Sequence, residues 1–193
     1  MTADTIFHRT RKPLKLWFLA AWEIASPKYG TNAMTLMRTL GLESYETAWA
    51  WLHKFRRAMV RPDRERLGGV VEVDETYIGA LIKGGGGRHT GSKAIVSIAI
   101  EAKANKQLGR IRLARIPSVS RKALESFAVS AIAPGTRVLT DGWRGYNGLS
   151  DLGFDHVVID QSASPDPAHV VMPSVHLAAS LLKRWILGTY QGG

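Results

Sequence analysis

The chain has 193 residues, 26 Lys plus Arg against 16 Asp plus Glu, a formal net charge of +10 and no cysteine. That length suits one domain with a small appendage, and a hydrophobic share of 45% excludes disorder as the default state. Without cysteine there are no disulfides, no thiolate metal sites and no cysteine nucleophile, and the positive balance favours polyanionic partners.

The N-terminus carries Arg9, Arg11 and Lys12 but no apolar core followed by a small-residue cleavage site, so no signal peptide is expected. The apolar stretch Leu14 to Ala25 holds Lys15 and Glu23 and is far shorter than the roughly 20 residues of a membrane span. The expectation is a cytoplasmic protein with no membrane partner. Residues 13 to 60 read as helices. Pro13 opens the first, and Leu14, Trp17, Phe18, Ala21, Trp22 and Ala25 form one apolar stripe before Pro27 and Gly30 end it. Thr31 to Leu40 and Ser44 to Val60 follow across the short turn Gly41-Leu42, an arrangement resembling a helix-turn-helix. In the second of these, Trp49, Leu52, Phe55 and Met59 are expected to pack, while His53, Lys54, Arg56 and Arg57 form a basic side suited to phosphate. An ordinary helical hairpin with a solvated charged face fits the same pattern.

Arg61 to Gly69 is polar and rich in Pro and Gly and reads as a linker, dividing a helical region (1–62) from a second domain (63–193). The period then changes. Val70 to Ile78, Ala94 to Ile100 and Leu108 to Ile116 are β-rich runs spaced for an antiparallel meander, with Arg110, Arg112 and Arg115 punctuating the third. Ser120 to Ala133 is helical through Leu124, Phe127, Ala128 and Ala131, Thr136 to Thr140 is a fourth strand, Trp143 to Leu152 a short helix, and His156 to Ile159 a fifth strand. Gln161 to Pro173 is loop, and Ser174 to Leu187 is a last helix with Leu177, Leu181 and Leu182 inward. The order is α+β and matches an RNase H-like mixed five-stranded sheet with flanking helices.

Alternation in the first strand puts Val71, Val73 and Glu75 on one face and Glu72, Asp74 and Thr76 on the other. A carboxylate on a central strand is costly to bury unless metal or hydrogen bonds compensate it. Asp141 ends the fourth strand, where sites form, although Asp before Gly is also ordinary turn chemistry. On adjacent parallel strands the two aspartates meet, and carboxylates at close range repel unless a cation stands between them. His176 and Lys183, two turns apart on the last helix, share a face with Ser180. Gly84 to Gly87 with Arg88, His89 and Lys93 make a hairpin tip over a DNA path or an inert loop. Trp143 and Tyr146, beside Asp141, are candidates for stacking on an unpaired base or for the core.

Three blocks, Val71 to Gly79, Leu139 to Tyr146 and Leu181 to Gly192, resemble in order and spacing the catalytic blocks of bacterial insertion-sequence transposases of the family named for insertion sequence 1595. The run Tyr45 to Met59 resembles that family too. The resemblance implies a transposase that cleaves and joins DNA at element ends with Mg2+ (or Mn2+). It assigns Asp74 and Asp141 as the first two acidic metal ligands, His176 to the third ligand position, and Lys183 as the basic residue seven positions later. Histidine in place of a carboxylate lowers the charge of the site and shifts the expected metal preference toward manganese. Expected partners are double-stranded DNA, both terminal inverted repeats and target, and further copies of the chain. Lys54, Arg56, Arg57, Arg88, Lys93, Lys183 and Arg184 are the candidate DNA contacts. Relatives usually continue beyond the point matching Gly193, so the chain is expected to be incomplete at its C-terminus. The competing expectation is a catalytically inactive remnant that only binds DNA.

Overall fold

The computed structural model describes residues 2–61, 63–79, 93–103, 107–159 and 171–190. The hairpin tip at 84–89, including Arg88, and most of the loop after the fifth strand lie outside these residues. The chain divides into two compact units, one of residues 1–64 with 181–193 and one of residues 65–180. No helix of the described residues is long and apolar enough to cross a membrane.

The helical unit is built on α1 (Leu14–Ala25), α2 (Ala33–Leu40) and α3 (Tyr45–Met59). Polar caps set the starts: Asn32 accepts the Thr35 N–H at 2.9 Å and Ser44 accepts the Thr47 N–H at 3.2 Å, satisfying amides that a helix N-terminus leaves open. Gly41, at φ 61°, closes α2 in the left-handed conformation and turns the chain into α3. The core is Trp17, Ala20 and Ile24 of α1 packed with Leu36, Ala48, Trp51, Leu52 and Phe55. Trp17 and Trp51 stack with centroids 3.8 Å apart. The buried stripes therefore differ in phase from the expectation: Phe18, Trp22, Trp49 and Met59 are exposed. Each helix has apolar residues on adjacent positions, so two stripes about 100° apart fit a 3.6-residue period, and the Trp17–Trp51 stack fixes which one faces inward.

In the other unit the sheet order is β3-β2-β1-β4-β5. β1 (Val70–Ile78), β2 (Ala94–Ala102) and β3 (Leu108–Ile116) form an antiparallel meander. α4 (Arg121–Ala131) crosses over, so that β4 (Arg137–Thr140) runs parallel to β1 and β5 (Asp155–Val158) parallel to β4. This order and sense is the RNase H-like fold. Val71 and Val73 point into a core with Leu124 and Phe127 of α4, whereas Ile98 and Ile100 pack on the opposite face with Met172, Val175 and Ala178 at the start of α5 (Pro173–Tyr190). Leu177, expected inward, is exposed, because the inward turn of α5 is taken by Val175 and Ala178. The stretch expected as a helix at 143–152 is two single 3-10 turns, Arg144–Tyr146 and Ser150–Leu152, interrupted at Gly148 and ended at Gly153 in the left-handed region. The segment entering β1 is tied to the meander: Arg110 pairs with Glu65 at 3.0 Å and Glu101 at 2.7 Å, and Arg112 donates to the Glu65 carbonyl.

Candidate active site on the central strands

β1 is the middle strand, and its pairing with β4 aligns Glu72 with Leu139. Continuing that register by two residues brings Asp141, just past the end of β4, level with Asp74. Parallel partners share a face, so Asp74 in the middle of β1 and Asp141 just past the C-terminal end of β4 stand level on one face of the sheet, and a strand end such as that of β4 is where α/β sheets place their sites. Each carboxylate has one oxygen held by a backbone amide: Asp74 Oδ1 accepts the Glu75 N–H at 2.8 Å and Asp141 Oδ1 accepts the Trp143 N–H at 3.1 Å. These bonds stop the side chains from rotating and leave their negative charge in place.

His176 comes to this point from α5. Its Nδ1 lies 4.0 Å from Asp74 Oδ2, and both side chains are half-buried. The Asp74 side chain is on the α5 face of β1, since its cross-strand partner Ile98 belongs to the core beneath α5. The His176 carbonyl accepts the Ser180 hydroxyl at 3.0 Å.

Tyr146 marks the negative character of the region from the opposite face of the sheet. It is buried, its hydroxyl donates to Glu75 Oε2 at 2.9 Å, and its phenol is pushed well above the usual range, first by burial and then by the charges of Glu75, Asp74 and Asp141. All three carboxylates are therefore close enough to act on one hydroxyl. Trp143 donates its indole N–H to the Val119 carbonyl at 3.0 Å and packs against the same core. Both aromatics are thus core residues. Behind Asp141, the Thr140 hydroxyl donates to the Asp141 carbonyl at 2.9 Å and lies 2.8 Å from His156 Nε2. Burial lowers the pKa of the His156 imidazole, favouring the neutral form.

Among the described residues no three His, Asp or Glu groups converge closely enough to hold a divalent cation by themselves. Magnesium does not require such a cage, because it is commonly held by one or two carboxylates, with water and substrate phosphate filling the remaining positions. Two donors about 2.1 Å from one cation stand about 3 to 4.2 Å apart, and the 4.0 Å between His176 Nδ1 and Asp74 Oδ2 falls within that span. Hard carboxylate oxygens with one imidazole fit magnesium and suit manganese at least as well.

The remaining sequence candidates lie elsewhere. Lys93 is half-buried at the start of β2, next to Gly79 in space. In the helical unit Lys54 stands 5.5 Å over the Trp17 ring and Arg56 5.1 Å over Tyr190, while Arg57 is exposed. Arg184 is 5.6 Å over Tyr29, and Lys183 is exposed on α5, two turns beyond His176. Sequence reasoning did not single out Glu72 or the Tyr146–Glu75 pair. The only signal for Glu72 was its place two residues before Asp74 on the same face of the strand.

Residues 66–192 match the family described as the ISXO2-like transposase domain. The chain belongs to that family. This is the insertion-sequence group that the three sequence blocks resembled. The chain is also 26% identical over 200 residues to an uncharacterized protein in transposable element ISH50 of Halobacterium salinarum (strain ATCC 700922 / JCM 11081 / NRC-1), covering 94% of the chain but 65% of that relative's length. Among solved structures it is similar to the catalytic core domain of BIV integrase, at 12% identity and a TM-score of 0.37, over 62% of the chain and 82% of the integrase chain. It is also similar to the Mos1 strand transfer complex, at 12% identity and a TM-score of 0.33, over 92% of the chain and 71% of the Mos1 chain.

Proposed function

We propose that the chain catalyses divalent-metal-dependent cleavage and strand transfer of DNA at the ends of an insertion sequence. The observation that carries this reading is the level placement of Asp74, mid-way along β1, and Asp141, just past the end of the parallel strand β4, with His176 set against Asp74, in a chain of a transposase family. Asp74 and Asp141, with His176 beside Asp74, would hold magnesium or manganese together with water and DNA phosphate, and the metal would supply charge neutralisation at the scissile phosphate and a lowered pKa for the attacking hydroxyl.

Two displacements at phosphorus follow from the reading. In the first, a water oxygen bonds to phosphorus at the element end as the P–O3′ bond breaks, and the leaving oxygen takes a proton to become a 3′-hydroxyl. In the second, that hydroxyl oxygen attacks a target phosphodiester and gives its proton to solvent, the new P–O bond replaces a target P–O3′ bond, and the released target oxygen takes up a proton to become a 3′-hydroxyl. The number of phosphodiester bonds is conserved in the joining step. This chain's contribution is to orient and exclude: the backbone-held carboxylates keep a fixed negative pocket, and α5 closes one side of it.

Lys183 would contact phosphate near the scissile bond as a point charge. Residues 1–62 would bind element ends through Lys54, Arg56 and Arg57, with Lys93, Arg184 and, outside the described residues, Arg88 adding phosphate contacts. Residues 63–193 would form the catalytic domain, and synapsis of two ends would require more than one copy of the chain, acting at the nucleoid.

The test is an assay of strand cleavage and 3′-end joining on labelled element-end DNA, run beside a binding titration. Asp74→Asn and Asp141→Asn are each expected to lower cleavage by about a thousandfold or more with DNA affinity nearly unchanged. Wild-type binding with no cleavage in either metal would support a DNA-binding remnant instead, and cleavage without joining would support a nuclease.

A further inference from the structure

We infer that Glu72 is a positioning residue, a buried carboxylate that pins the start of α5 so that His176 faces Asp74. The inference rests on the reading of Asp74 and His176 as metal-holding groups. Glu72 is 3% exposed, at the centre of the middle strand, among Ile98, Ile100, Met172 and Val175. Burying a carboxylate in such surroundings is strongly unfavourable unless the charge is met. It is met by a helix start: Glu72 Oε2 accepts the Val175 N–H at 2.8 Å, in the first turn of α5. That turn presents amides with no partner inside the helix and the positive end of the helix dipole, so the carboxylate and the helix satisfy each other.

The geometry links this bond to the site. Glu72 and Asp74 are two residues apart on one face of β1, and Val175 and His176 are consecutive in α5. One strand therefore grips the helix through Glu72 and meets its next residue through Asp74, at 4.0 Å from His176 Nδ1. With Val175 held, the rotation and height of α5 over the sheet are fixed. Glu72 Oε2 is committed to the helix, so the residue acts on His176 through α5.

The experiment is a double-mutant cycle read by Mn2+ binding to the intact chain, following the free-ion electron paramagnetic resonance signal, with thermal unfolding to show that each variant is folded. Glu72→Ala is expected to weaken Mn2+ binding about tenfold to a hundredfold in the wild-type background, the loss typical for removing a group that orients a metal ligand. In the His176→Ala background the same change should have little further effect, because the ligand it positions is gone. Glu72→Gln, whose amide oxygen accepts the same N–H, should restore most of the affinity, and its coupling to His176→Ala carries the test alone if Glu72→Ala does not fold. Losses that multiply across the two sites, or a Glu72→Gln as weak as Glu72→Ala, would overturn the role of Glu72 while leaving the metal centre standing. An Asp74→Ala variant that binds Mn2+ as wild type does would remove the metal centre and the inference with it.

Discussion

The acidic side chains at the β2–β3 edge and those on the central strands have neighbours that differ in kind. At the edge, Glu101 meets the Arg110 guanidinium through both of its oxygens and also accepts the Gly68 and Arg110 backbone N–H groups at 3.1 and 3.2 Å. Its pKa is lowered to about 2, mainly by the Arg110 hydrogen bonds. The opposite position is Gly109, where a Cβ would stand 2.6 Å from Glu101 Cβ, so the pair is built around a missing side chain. At the centre, Asp74 and Asp141 each accept a backbone amide, Glu72 accepts one from a helix start and Glu75 accepts a phenol hydroxyl. An amide or a hydroxyl orients a carboxylate without cancelling its charge, whereas a guanidinium largely cancels it. The edge pair fastens the chain entering β1, and the centre concentrates the negative field that a cation would answer.

The contrast can be broken at either end. The larger effect is expected at the centre. Tyr146→Phe removes the buried donor to Glu75 and should destabilise the fold by about 1 to 3 kcal/mol, read as a lower melting temperature in calorimetry. An unchanged melting temperature would show that Glu75 does not depend on that phenol. In the wild type, spectrophotometric titration should leave one tyrosine protonated well above pH 10, and this late step should vanish in Tyr146→Phe.

The smaller effect belongs to the edge. Because the Glu101 pKa falls from 4.5 to about 2 on folding, its pairing contributes stability above pH 4.5 that is lost as the pH falls toward 2. Arg110 is largely open to solvent, so screening limits this to about 1 kcal/mol. Glu101→Gln should flatten the acid limb of the stability curve by that amount. A Glu101→Gln protein whose acid limb is as steep as that of the wild type would contradict the assignment.

Much of the sheet was legible because strand alternation is local: β1 and β3 span the residues that their β-rich runs marked out, and Asp74 and Asp141 stood out as a carboxylate in mid-strand and another at a strand end. The helical faces were less legible. Trp17 with Phe18 and Trp51 with Trp49 offer competing stripes, and only packing between helices chooses one. Glu72 carried no sequence signal of its own role, because its partner, the Val175 amide, is over a hundred residues away and is met only once α5 docks on the sheet. Likewise Arg110 and Arg112 reached their carbonyl and carboxylate partners through tertiary contacts that no spacing encodes.

The central claim is that Asp74 and Asp141 answer to one shared cation. Crystals soaked in manganese and measured at its absorption edge test it most directly. An anomalous peak within about 2.5 Å of carboxylate oxygens of both residues is the predicted result; a peak that touches only one of them, or no peak beside either, would contradict it.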